Sequence, residues 1–135
     1  MHTLLNCTTL KDVDIICVQE PWTHIESALP LSHRSWTLFV PDTADRTRPR
    51  SCIYVNKKQI PPHTITSMPS QSRDITAIAV TRPELAPLIL INVYNPAPSY
   101  ASLAKLPTIL AHPLRTPSAP TVVEPPHLPR TGPCR

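Results

Sequence analysis

Glu20, Tyr94 and Asn95 are polar residues that close apolar runs, and a proline follows each run at once. Ile15-Ile-Cys-Val-Gln-Glu20 meets Pro21, and Leu88-Ile-Leu-Ile-Asn-Val-Tyr-Asn95 meets Pro96. Proline has no N–H to give a ladder, so both runs read as strands that must stop there. A carboxylate at the carboxyl end of a buried strand faces the mouth of the sheet, where α/β folds place their ligands. The plainer alternatives are a strand-end carboxylate in water and a strand-end aromatic reaching toward solvent. Residue types alone leave both readings open. A second set of groups is cationic. Arg46, Arg48, Arg50, Lys57 and Lys58 fall within 13 residues that contain no carboxylate. Such a cluster suits phosphates, and a solvated loop and strand edge is the competing account.

Metal chemistry on Cys or His finds no support. Cys7, Cys17, Cys52 and Cys134 lack paired ligand spacing, and the six histidines form no pair at helical ligand spacing, so no zinc site is expected. Cys17 and Cys52 sit among apolar strand residues and read as small buried hydrophobes. The first residues carry no cationic segment followed by an apolar stretch. No run approaches the length of a membrane span. The expected protein is therefore intracellular, nuclear or cytoplasmic, and neither secreted nor membrane-bound.

The elements that must position these groups follow from pattern. A chain of 135 residues bounds one domain, and 41% hydrophobic residues suffice for a core. Nineteen prolines and one glycine are far from average usage of about 5% and 7%. Tight turns and bulges ordinarily use glycine. With only Gly132 present, either Asn, Asp and Pro make every turn or part of the domain is missing. The net charge of +4 is too small to argue nucleic-acid binding by itself.

Asp14 to Gln19, four apolar residues without alternation at its centre, reads as a strand buried on both faces. His2 to Leu10 reads as a short helix weakened by Thr8 and Thr9. Residues 21–35 read as a loop, and Trp36 to Val40 and Ser51 to Val55 as strands. Residues 61–72 read as a loop. Asp74 to Val80 is a strand with Ile75, Ala77 and Ala79 on one face and Thr76, Ile78 and Val80 on the other. It pairs through a short turn with a second buried strand, 88–94, as an antiparallel hairpin. Ser99 to Leu110 is a helix shortened or kinked by Pro107, with Leu103, Leu106 and Leu110 on one face. The strands near 14–19, 51–55, 74–80 and 88–94 are expected in one sheet, with helix 2–10 on one side. Residues 113–135 hold seven prolines and no periodicity, and read as a disordered or polyproline-like tail.

Asp14-Ile-Ile-Cys-Val-Gln-Glu20-Pro-Trp22 resembles the Gln-Glu motif of the endonuclease/exonuclease/phosphatase family, and looks most like the endonuclease domain of non-LTR (LINE-type) retrotransposons. Arg48 to Lys58 is similar to the Arg-rich turn and Ile-Tyr-Val strand of those endonucleases. Ile91-Asn-Val-Tyr-Asn-Pro96 is similar to their Asn-x-Tyr-x-Pro segment. The resemblance spans roughly residues 2–112. It implies a DNase I-like, four-layer α/β sandwich, present in part over 1–112 and followed by the tail 113–135. It implies Mg²⁺ as cofactor with Glu20 as its ligand, and DNA as partner. It also implies Tyr94 and Asn95 beside the scissile phosphate, with Arg48, Arg50, Lys57 and Lys58 as nucleic-acid contacts.

The chain also departs from that pattern. Ala97 stands where several relatives carry asparagine. The family's first strand, with its metal-site asparagine, has no counterpart, since the chain starts after that strand would end. Ala119-Pro-Thr-Val-Val123 resembles the strand that leads to Gly-Asp-x-Asn, but continues as Glu124-Pro-Pro-His127. Neither Gly-Asp-x-Asn nor a later Asp-His pair occurs, and a change of reading frame near Val123 would explain this. Metal-dependent phosphodiester hydrolysis needs a held cation, an oriented water and charge stabilisation together. Two classes of function follow. One is a fragment of a Mg²⁺-dependent, DNA-nicking endonuclease domain, inactive as it stands. The other is a non-enzymatic remnant that binds nucleic acid or protein weakly. A proline-rich interaction module rests on the tail alone.

Overall fold

Six strands build the molecule, in a computed structural model that describes residues 1–43 and 47–113. Arg46 and the expectations for 114–135, including the reading of Ala119 to Val123, lie outside the described residues. The strands are β1 (Ile15–Gln19), β2 (Trp36–Phe39), β3 (Ser51–Asn56), β4 (Ile65–Met68), β5 (Ile75–Arg82) and β6 (Leu85–Val93). Two short helices flank them, α1 (His2–Leu5) and α2 (Leu106–Leu110). No helix among the described residues is long and apolar enough to cross a membrane.

The strands form two antiparallel three-stranded sheets, ordered β1-β3-β2 and β4-β5-β6. The expectation of a single sheet is thus corrected. The class remains mixed α and β. Three apolar clusters stack across it. Ile53, Val55, Ile78 and Val80 fill the space between the sheets. Leu5, Leu31, Trp36, Cys52 and Tyr54 cover the far side of the first sheet. Met68, Ile75, Ala77, Ala79 and Ile109 cover the far side of the second. The two-residue period of a strand splits β5 as its sequence requires. Ile75, Ala77 and Ala79 face α2, while Ile78 and Val80 face β3. The β5–β6 hairpin forms, with Ile75 opposite Val93, but β6 starts at Leu85 rather than 88, so the turn is shorter than expected.

The buried strands are β3 and β5, not the two apolar runs singled out by pattern. β3 is buried at all six positions, whereas Cys17 and Gln19 of β1 are exposed. β6 is exposed at its first four residues. Both runs are edge strands, paired on one side only among the described residues. An unbroken apolar run records hydrophobicity on both faces without recording which neighbours cover them. Cys17 is consequently exposed, while Cys52 is buried as expected. Other differences are local. The first helix stops at Leu5, and a separate 3₁₀ turn covers Thr8–Leu10. The loop 61–72 contains β4. A 3₁₀ turn at Leu103–Lys105 precedes α2. Pro107 lies in the first turn of α2, where its missing N–H costs nothing. Ile109 is the buried residue of that helix, and Leu103 and Leu110 are exposed.

Glycine is absent from every described turn. Ala28, Gln71 and Glu84 take the left-handed conformation in its place, as does Glu20 at the end of β1.

Burial pushes the Cys52 thiol from 9.0 up to about 12, with Cys17 adding to the rise. The Tyr54 hydroxyl, which donates to Leu31 O at 2.7 Å, is raised by the same cause. An unfolded chain releases the Cys52 proton above pH 9, whereas the folded chain holds it to about 12. The folded state therefore binds more protons in that window, and stability falls as pH rises through it. We expect the loss to approach about 1.4 kcal/mol per pH unit for each such group. Urea denaturation across the window should show a shallower fall in Cys52→Ala. Equal slopes in the two proteins would contradict the assignment.

Candidate functional site

Antiparallel pairing of β1 with β3 sets Gln19 opposite Ser51, so the next residues outward, Glu20 and Arg50, also face each other. Glu20 N donates to Arg50 O at 2.8 Å. Pairing of β5 with β6 does the same for Asp74 and Tyr94, and Tyr94 N donates to Asp74 O at 2.7 Å. The two sheets meet at this end, because Arg50 N donates to Arg73 O at 2.8 Å. The carboxyl ends of β1 and β6 and the amino ends of β3 and β5 therefore share one junction.

The inter-sheet space is polar near this junction and apolar beyond it. Ser51 Oγ lies 2.8 Å from Thr76 Oγ1, which also donates to Ser51 O at 3.0 Å. Asn92 Nδ2 donates to Val18 O and to Cys52 O, both at 2.9 Å. Gln19 Nε2 donates to Val93 O at 2.9 Å. Each bond crosses between sheets, so the edge strands β1 and β6 are tied side by side. Buried polar groups are tolerated when satisfied in this way.

Arg50 is the centre of the junction. Its Nη2 lies 3.8 Å from Glu20 Oε1 and its Nη1 3.7 Å from Asp74 Oδ1. Its guanidinium carbon stands 4.2 Å from the centroid of the Tyr94 ring, a cation–π geometry. The Arg50 side chain is 27% exposed, Glu20 62% and Asp74 18%. Asp74 Oδ2 accepts from Ser102 Oγ at 3.2 Å. Asp74 Oδ1 is shielded from solvent without a hydrogen bond, with Arg73 Nε at 3.9 Å as its second cation.

Glu20 and Tyr94 are thus brought to one place, from different sheets, with Arg50 between them. Asn95 is exposed just beyond β6. The cationic set is divided. Arg48 and Arg50 line a groove of about 360 Å³ together with Glu20, exposed Trp22 and Ile25. Lys57 and Lys58 lie at the other end of β3, roughly 23 Å from Arg50 at about 3.3 Å per residue. Lys57 Nζ donates there to Arg34 O at 3.0 Å. Asp74 and Asn92 also join the junction, and Arg50, expected as a nucleic-acid contact, lies between Glu20 and Asp74. Its place follows from the β1–β3 register, which no local pattern carries.

Mg²⁺ takes oxygen ligands in near-octahedral geometry, through one or two carboxylates, waters and substrate phosphates. The two carboxylates of the junction flank a guanidinium, and Asp74 is further engaged by Arg73 and Ser102. Among the described residues no three His, Cys, Asp or Glu side chains are grouped to hold a metal ion. This donor set does not suit Mg²⁺. What the junction offers chemically is positive charge beside aromatic surface, with Arg48 and Trp22 accessible.

No family model, no curated protein and no solved structure matches the chain.

Proposed function

We propose that the chain is a partial DNase I-like sandwich of the endonuclease/exonuclease/phosphatase type, derived from a DNA-nicking endonuclease domain. In this reading it binds DNA weakly and does not hydrolyse it. The single observation that carries the reading is the meeting of Glu20, Arg50 and Tyr94 at one junction, although they come from segments far apart in sequence and from two sheets. The meeting of three segments that resemble one family's motifs supports the reading. The loss of hydrolysis follows from the donor set, since Arg50 is paired with Glu20, the carboxylate that the resemblance assigns to Mg²⁺. The groove beside it supplies what backbone binding needs: Arg48 for phosphate, and Trp22, 59% exposed, as a face on which a base can stack.

Fluorescence anisotropy with a labelled DNA oligonucleotide tests this reading. Non-specific affinity is expected near about 10⁻⁴ to 10⁻⁶ M, weakening steeply with salt. Arg48→Ala should lower affinity and reduce the salt slope by about 1. Lys57→Ala, at the far end of β3 and held by Arg34, should change little. Equal losses in the two variants, or no binding at low salt, would contradict the proposal.

A further inference from the structure

We infer that Arg50 is an internal counter-cation, which excludes divalent metal from the Glu20–Asp74 pair by supplying the positive charge itself. The inference deepens the proposed function and rests on it only for matching Glu20 to a metal ligand. Three observations carry it. The two guanidinium nitrogens divide between the two carboxylates, at 3.8 Å and 3.7 Å. The carbon of the same group stands 4.2 Å from the Tyr94 ring centroid, a third contact on it. Its backbone is fixed as well, with N bonded to Arg73 O and O bonded to Glu20 N, each at 2.8 Å. The planar guanidinium fork can face two carboxylates at once. A metal ion bridging the two carboxylates would have to displace Arg50 from between them, and would then face Arg50 and Arg73 as like charges.

The inference also explains Asp74 Oδ1, an oxygen shielded from solvent that accepts no hydrogen bond. Its charge is balanced by Arg50 and Arg73, at 3.7 Å and 3.9 Å, without direct bonding. Removing Arg50 takes the shared cation from both carboxylates and leaves Asp74 its ion pair with Arg73.

Titration of the full-length chain with Mn²⁺ alone, followed by electron paramagnetic resonance of the free ion, tests this without DNA. The wild type should show no binding dependent on Glu20 at millimolar Mn²⁺. Arg50→Gln should bind at least about tenfold more tightly, a difference of about 1.4 kcal/mol. Adding Asp74→Asn to that variant should abolish the gain, and Arg50→Lys, which keeps the charge, should behave as wild type. Wild-type binding as tight as that of Arg50→Gln would overturn the inference, as would a folded Arg50→Gln that gains nothing. If Arg50→Gln does not fold, paramagnetic broadening in the wild type decides. Tyr94 ring signals that stay sharp while signals of the exposed Asp12 and Glu26 broaden support the inference. Broadening of Tyr94 that disappears in Glu20→Gln overturns it. Because the readout is metal binding, a failure of DNA binding would count against the proposed function and leave this inference standing.

Discussion

Ile53→Ala lowers the stability of the fold by about 3 kcal/mol, the largest single effect expected in the molecule. Ile53 is 0% exposed and packs between the sheets with Val55, Ile78 and Val80. It lies on β3, the central strand of its sheet, so both flanking strands hold its backbone. A cavity left there cannot be filled by a shift of one edge. Removing buried methyl groups costs their transfer free energy and adds a cavity term, about 2–5 kcal/mol for isoleucine to alanine. Typical domain stabilities are only about 5–15 kcal/mol, so this variant should be near the threshold of folding. Ile25→Ala is the control, since Ile25 is 85% exposed and should change stability by less than about 0.5 kcal/mol. Urea denaturation of both variants checks the pair. A loss below about 1 kcal/mol for Ile53 would mean that the two sheets do not share the inner core described here.

Arg50→Ala should cost about 2 kcal/mol, more than any other substitution at the surface of the junction. The substitution removes two ion pairs and a cation–π contact at once. The Glu20 pair contributes little, because Glu20 is mostly solvated and exposed pairs are screened. The Asp74 pair matters more, because that carboxylate is largely buried and only Arg73 remains to face it. Removing one partner of a buried pair is costly chiefly through the charge left behind. Asp74→Asn in the same protein should therefore restore roughly 1 kcal/mol, a non-additivity that a double-mutant cycle resolves. Thermal unfolding of the four proteins tests this. Strict additivity would show that Arg50 and Asp74 do not interact.

The hairpin of β5 and β6 was legible in the sequence because two apolar runs are joined by a short polar, proline-bearing segment. Its register also carries Asp74 to Tyr94. The division into two sheets was not legible. β1 and β6 meet through side-chain amides, Gln19 and Asn92, rather than through a backbone ladder, and no local pattern distinguishes the two. For the same reason, four runs of similar hydrophobicity concealed that β3 and β5 are central and β1 and β6 are edges. β4 escaped notice because Ile65-Thr-Ser-Met68 is too short and too polar to stand out from its loop. At the candidate site, Glu20 and Tyr94 followed from strand ends marked by proline. Arg50 could not be told from its cationic neighbours, because its inward role depends on which residue lies opposite it, and that is a long-range fact. The shortage of glycine was visible, and its consequence was not. Ala28, Gln71 and Glu84 hold left-handed turns themselves, at a cost of roughly 1–2 kcal/mol each.

In the proposed reading, this junction keeps the polar groups of a nuclease-like site and lacks hydrolysis because Arg50 stands between its carboxylates. The most direct measurement is nicking of supercoiled plasmid DNA by the purified full-length chain in Mg²⁺, beside its Glu20→Ala variant. No nicking above the level of the variant is expected. Reproducible nicking by the wild type that disappears in Glu20→Ala would contradict the reading.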